Sequence, residues 1–503
     1  MRKNIIANLI GKFFGILSNF LFIPLYIHFL GFEKYSIISF SLVIAGIMVI
    51  LDAGLTATLS REFARTDIPR EEKQRIFKTL ESVYLIVIFI CISTVFFLSS
   101  LIAEQWLNLK EYNLDQASFF FKIISFDIGF QLLFRFYMGG LLGLENQVKA
   151  NVYQVGWGMV RNGFVVIAIM FSPTLETFFL WQTLSTVIFA ILIKLSLEKT
   201  LKGRYSLALS IKIEKVVFKR VWGFAGGMLL IALVAALNTQ MDKIAISKLL
   251  SLESLGYYTL AISLSQGILV LVNPIATAIL PRFTAQYSAD KQKEASSLFK
   301  KVSVYVAILI FSIMANLTFF GEKIVWIWTG DIKLAEHISE FIPIVAMAYA
   351  MLSLQVIPYY IAIANGYTKL NNLLGIISLI VTLPGYWLVT KYYGAIGAAG
   401  VFCGVQIFST IVYLYFIDKK FIKSKTISRV YIKQIILPLV ITLSIAFVFS
   451  LVHIFEEYGR IIVLVWIGIS TLSTLIVGTL ILVPIKELKG DLNFKSHHTL
   501  VNN

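Results

Sequence analysis

Charge is what this sequence has least of. Of its 503 residues, 14% are Asp, Glu, Lys or Arg, where a soluble domain carries about a quarter. Hydrophobic residues make up 58% and the mean hydropathy is +0.82. A soluble globular chain is excluded. Cysteine is almost absent: Cys91 and Cys403 both lie in apolar runs, which excludes a disulfide framework and a thiolate metal site. The five histidines are scattered, apart from His497 and His498 in the polar tail, so nothing resembles a histidine metal centre and no cofactor is expected. There is no low-complexity segment, no long Pro/Gly/Ser linker and no polar stretch large enough for a soluble domain. The opening residues lack a small-residue cleavage site. Their apolar run exceeds the roughly 15 residues of a secretory core, so a retained first membrane helix is expected.

What fills the chain is apolar runs bounded by charged turns. Fourteen reach membrane-spanning length: residues 8–30, 36–59, 80–102, 119–143, 150–172, 177–197, 221–249, 254–280, 302–320, 338–364, 372–390, 395–417, 434–454 and 461–483. The reading is an all-α polytopic membrane protein with about 14 transmembrane helices. The net charge of +16 would suit nucleic acid if it were clustered on one surface. It is instead sorted by loop: with both termini cytoplasmic, the inner loops and tails hold 31 of the 44 basic residues. That is the positive-inside bias, and no nucleic-acid partner is expected. Trp106, Trp326, Trp328 and Trp387 are expected at the outer membrane interface.

The chain repeats itself. Leu30-Gly31-Phe32-Glu33, then Asp52, Arg61 and Ser82-Val83-Tyr84, recur as Leu250-Ser251-Leu252-Glu253, then Asn273, Arg282 and Ser303-Val304-Tyr305, at an offset of 220 to 221 residues. Each half holds six spans, so the halves are expected to be parallel repeats. The expected domains are 1–220, 221–433, and 434–503 with two extra spans and a tail. Gly11-x-x-x-Gly15 and Gly400-x-x-x-Gly404 are expected to pack helices closely.

Polar residues inside the spans mark the candidate site. Asp127, Gln131 and Arg135 follow one another at four-residue spacing on one helix face. Asn151, Gln154, Gly158 and Arg161 share a face of the next span, and Gln182, Ser185 and Thr186 lie on the one after. Arg161 falls ~16 Å along its helix, near the bilayer centre, where an arginine costs ~2.5–3.5 kcal/mol on insertion scales. Such a group faces a cavity or a partner, and an Asp127–Arg135 or Asp127–Arg161 ion pair that merely cements helices is the plainer alternative. Under the 221-residue offset Asp127, Arg135 and Arg161 map to Ala348, Val356 and Thr382. The repeat therefore does not demand charge there. Asp52, Asp242 and Lys12 are further intramembrane candidates, whereas Lys122 and Lys194 are expected to snorkel from helix ends.

Pro24-x-Tyr26-x-x-x-Leu30-Gly31-x-Glu33-x-Tyr35, Asp52-x-Gly54-Leu55 and Arg61-Glu62 resemble the start of polysaccharide flippases of the Wzx (O-antigen) type. Asn238, Asp242-Lys243, Leu255-Gly256-Tyr257-Tyr258, Asn273-Pro274 and Pro281-Arg282-Phe283 look similar to that family's second half, with Ser36 standing where relatives often have Gly. The resemblance implies a multidrug/oligosaccharidyl-lipid/polysaccharide (MOP) exporter fold, two six-helix lobes in a MATE-like V. It implies transport of undecaprenyl-diphosphate-linked oligosaccharide across a bacterial inner membrane, coupled to an ion gradient. Membrane lipids, a polysaccharide polymerase and a chain-length regulator are the implied neighbours. On this reading Arg161, Arg135, Lys12, Lys122, Gln154 and Gln131 bind substrate, because guanidinium suits diphosphate, and Asp127, Asp52 and Asp242 couple the ion. A drug or metabolite antiporter of the same fold and a lipid II flippase are the alternatives. A membrane polysaccharide polymerase ranks lower, since the outer loops are short and carry no nucleophile or acidic-pair motif.

Overall fold

A computed structural model describes residues 20–52, 54–106, 114–203, 205, 212–423, 430–452 and 459–483. Those residues are helical apart from short connections. Eleven helices are long and apolar enough to cross a bilayer, and a twelfth, Lys215–Leu249, passes when the 43° bend within it is counted as one span. The helix Lys369–Ile417 breaks at Gly394, where φ is 65° and ψ −157°. No side chain tolerates that backbone easily, and it separates the expected spans 372–390 and 395–417. The expected span 8–30 is described only from residue 20. Fourteen spans are thus compatible with the described helices.

The repeat reappears in the helix boundaries. Helices begin at Phe32 and Leu252, and at Arg70 and Gln292; they end at Gly143 and Ala364. Matching ends lie 220 to 222 residues apart, close to the spacing of the sequence match.

Two compact units emerge: Met1–Thr259 with Thr382–Ala395, and Leu260–Val381 with Ile396–Asn503. The divisions expected at 220 and 433 do not coincide with them. Helix Lys215–Leu249 packs on Phe32–Met48 and Leu55–Ala64 and so belongs to the first unit. The extra pair Leu437–Ser450 and Arg460–Leu482 packs on Gln292–Thr329 and is part of the second.

The first unit is built around helix Leu114–Gly143, which packs on Leu175–Lys202, Arg70–Phe97 and Leu55–Ala64. Its small residues let the neighbours close in. A Cβ on Gly139 would lie 2.6 Å from Thr56, one on Gly140 2.8 Å from Leu197, and one on Gly143 2.5 Å from the Ser60 carbonyl. Close approach of this kind replaces the missing hydrophobic drive between helices in lipid. Gly400 and Gly404, expected to serve that purpose, meet no atom within 4 Å; both are exposed. An aromatic stack seals the contact, with Tyr84 and Phe136 centroids 4.3 Å apart.

The second unit centres on helix Gln292–Thr329, whose Phe320 meets Val463 and Ile467 of the last helix. Large apolar side chains such as Phe89, Phe171 and Ile461 are exposed, as a chain solvated by lipid tails requires.

Candidate functional site

Helix Leu114–Gly143 presents Asp127, Gln131 and Arg135 in three successive turns. Arg161 reaches it from a different kind of backbone. The span Gln147–Phe171 is interrupted at Met159–Gly163 by a π-helical turn, closed by Phe164 N donating to the Met159 carbonyl at 3.0 Å. A π-turn widens the helix and loosens its carbonyls. Three consecutive carbonyls there receive side-chain donors: Val160 from Trp181 Nε1 at 2.9 Å, Arg161 from Gln182 Nε2 at 3.0 Å, and Asn162 from the Tyr26 hydroxyl. The bulge is thereby pinned, and with it the direction of Arg161.

Arg161 is 9% and Asp127 4% exposed. The two pair in fork fashion, Nη1 to Oδ1 at 2.6 Å and Nη2 to Oδ2 at 2.9 Å. Nη1 also donates to Thr186 Oγ1 at 2.8 Å, and the guanidinium lies 5.4 Å from the Trp157 ring centroid. Asp127 accepts further from Gln131 Nε2 at 2.8 Å and from the Thr186 hydroxyl at 2.9 Å. One buried network thus ties three spans together, and four of its members, Asp127, Gln131, Arg161 and Thr186, were legible as intramembrane polar residues. It spends the Arg161 charge on Asp127.

Arg135 behaves differently. It is exposed and makes no hydrogen bond or ion pair among the described residues. Asp52, Tyr84 and Arg161 are its electrostatic neighbours. Asp52 caps the next helix by accepting from Thr56 N at 3.3 Å and from the Thr56 hydroxyl. The Tyr84 hydroxyl donates to the Leu132 carbonyl at 3.1 Å, three residues before Arg135. Gln154 is half-buried and makes no hydrogen bond among the described residues. Lys122 has its Nζ 5.6 Å from the Phe96 ring centroid. Asp242 lies elsewhere in the unit, 5% exposed, accepting from the Tyr258 hydroxyl at 2.9 Å and from Lys243 N at 2.8 Å. Lys12 lies outside the described residues.

Two ion pairs made by buried acids escaped the sequence. Lys194, expected to snorkel, is 4% exposed and bonds Glu81 at 3.0 Å, which also accepts from the Tyr137 hydroxyl at 2.7 Å. A turn further on, Glu198 holds Lys202 at 2.6 Å. The signal was present: Glu81 and Lys194 both sit inside expected spans, of opposite sign, at the same membrane face. At the loops, buried Glu62 gathers Arg61, Arg65 and Arg220 within 3.3–3.7 Å, and Arg75 bonds Glu214. No group of three or more His, Cys, Asp or Glu side chains could hold a metal ion among the described residues.

Spanning helices with a buried ion pair at their centre and exposed apolar flanks define a multi-pass helical membrane protein, and its fold is shared by solved transporters. A lipid II flippase, MurJ, in an inward closed conformation matches with a TM-score of 0.72 at 15% identity, over 96% of this chain and all of that one. A multidrug resistance MATE family transporter of the MOP superfamily, facing inward, gives 0.65 at 13% identity, over 82% of this chain and 96% of the other. The sequence matches the polysaccharide biosynthesis protein family over residues 1–287, more than half its length, and the chain belongs to that family. The MatE family model matches residues 228–388. A Shigella flexneri protein carrying the provisional name O-antigen transporter is 21% identical over 382 residues, 74% of this chain and 86% of its own length. Membership and fold together are those of the MOP superfamily, as the opening motifs led one to expect.

Proposed function

We propose that this protein carries oligosaccharide linked to undecaprenyl diphosphate from the inner to the outer leaflet of a bacterial inner membrane. Both termini lie in the cytoplasm on this reading. Family membership supports the polysaccharide pathway, and relatives named for O-antigen and lipid II transport support a lipid-linked cargo. The observation that carries the reading is Arg135. It lies eight residues from the Gly143 end of its helix, ~12 Å deep in a hydrocarbon layer ~30 Å thick. A guanidinium with no hydrogen bond or ion pair among the described residues needs, at that depth, a polar space and an anion, and a diphosphate offers bidentate acceptors. Arg161 and Asp127 serve the site indirectly, by fixing the helix that faces it. Of the three acids expected to couple an ion, Asp52 is the least committed, since Asp127 and Asp242 each answer a fixed neighbouring cation. Asp52 takes that role here.

The test replaces the chromosomal gene with Arg135→Gln and asks where lipid-linked oligosaccharide accumulates. Inner-leaflet accumulation, with protein level and unfolding behaviour unchanged, is expected. Full surface polysaccharide at normal expression refutes the site. In a deletion strain, single repeat units trapped in the outer leaflet would identify a polymerase instead. Unaltered polysaccharide with new drug sensitivity would identify a multidrug antiporter.

A further inference from the structure

The repeat carries no charge at Ala348, Val356 and Thr382, which match Asp127, Arg135 and Arg161, yet the second unit is not apolar at that depth. Gln355 stands between helices Ile342–Leu354 and Val356–Ala364, 13 residues from one end and nine from the other. Gln406 lies 11 residues from the end of Lys369–Ile417. At ~1.5 Å per residue both fall near the middle of the bilayer. The two amides meet: Gln355 Nε2 donates to Gln406 Oε1 at 3.5 Å and to Thr410 Oγ1 at 2.8 Å. Thr410 is fully buried and is itself anchored on the Met351 carbonyl at 2.8 Å, so the pair is held in place.

What the pair leaves over is informative. Gln355 Oε1 and Gln406 Nε2 make no hydrogen bond among the described residues, and both side chains are half-buried rather than enclosed. One acceptor and one donor stand side by side, at a depth where lipid tails satisfy neither. One turn before Gln406, Phe402 packs edge-on against Tyr349, ring centroids 5.6 Å apart, and Tyr359 lies one turn after Gln355. A hydroxyl is donor and acceptor at once, and vicinal hydroxyls match an adjacent amide donor and acceptor. The C–H faces of a pyranose match aromatic rings. Phosphate does not fit, because the described segments 342–364 and 395–417 that carry the pair hold no Lys or Arg.

We propose that Gln355 and Gln406, with the Tyr349–Phe402 aromatic pair, form a binding site for neutral sugar hydroxyls in the second unit. It rests on the reading of the protein as a carrier of lipid-linked sugar and names the part of the cargo read here. Thr410 is a positioning residue that holds Gln355.

The experiment measures binding of two probes to the full chain in nanodiscs: undecaprenyl diphosphate, and the same lipid bearing a neutral hexose–N-acetylhexosamine disaccharide. Wild type is expected to bind the glycosylated probe at least tenfold more tightly. Gln406→Met, which leaves the Gln355–Thr410 bond in place, and the double variant with Gln355→Met should lose that increment. Both should bind the sugar-free probe as wild type does. Equal wild-type affinity for the two probes, or an undiminished increment in both variants, overturns the sugar site while leaving lipid carriage standing. Failure of wild type to bind either probe overturns both readings.

Discussion

The buried pair can be weighed by removing each half. Arg161→Met leaves Asp127 with two neutral donors, Thr186 and Gln131. It also leaves a carboxylate that can take up a proton and become neutral. Asp127→Leu leaves a guanidinium that stays charged at any accessible pH, its remaining described polar and ring contacts being Thr186, the Gln182 carbonyl and the Trp157 ring. Breaking a buried pair costs about 3–5 kcal/mol, whereas replacing both partners by apolar groups is often neutral. We therefore expect Arg161→Met near the lower figure, Asp127→Leu near the upper, and the double variant within about 1.5 kcal/mol of wild type. Unfolding of detergent-solubilised protein in SDS, followed by circular dichroism, measures all four corners of the cycle. A double variant as unstable as the worse single variant refutes the argument. So does an Arg161→Met variant less stable than Asp127→Leu. Transport by a stable double variant then separates positioning from cement: the reading expects it to fold and to transport poorly.

Two further outcomes are expected. Ser36 Oγ lies 2.3 Å from where a Cβ on Gly256 would stand, so Gly256→Ala should destabilise by about 1–3 kcal/mol. Ser36→Gly should recover part of that loss, since Phe32 Cζ still lies 2.8 Å from the new Cβ, and a double variant as unstable as Gly256→Ala in SDS titration contradicts the packing. Hydrogen bonds from Arg75 hold the Glu214 carboxyl below its ordinary range. The tether is complete above the unfolded value and is lost as pH falls through the lowered folded one. Hydrogen exchange at the start of helix Lys215–Leu249, corrected for intrinsic rate, should accelerate between about pH 5 and pH 3. The same acceleration in Glu214→Gln rules the tether out.

Most of the fold was legible because hydropathy along one helix reports its lipid exposure directly. The expected spans fall on described helices wherever residues are described, and the repeat was visible at an offset the helix ends reproduce. Partnerships between helices were harder. Asp127 and Arg161 were recognised as possible partners, since both were isolated in mid-span. Lys194 was misread as snorkelling because its distance from the helix end was counted and the acid on the facing helix was not. The π-turn at Met159–Gly163 left no sign in the periodicity, as one extra residue in a mostly apolar span does not disturb a hydrophobic pattern. Gly400 and Gly404 failed for the opposite reason: their spacing is a necessary condition for close packing, and nothing in it says whether a neighbour is there.

That extra residue sets the phase of everything around it. Each residue of an α-helix turns the chain by about 100°. Removing one from 159–163 would return that turn to α-helical pitch and take Arg161 out of its present direction. The three carbonyls now held by Trp181, Gln182 and Tyr26 would return to the helix, and those donors would lose their acceptors together. The count of residues in this turn is therefore as much a part of the arginine's address as the arginine itself. A family member one residue shorter here must bring its cation to the same place from another position in the chain.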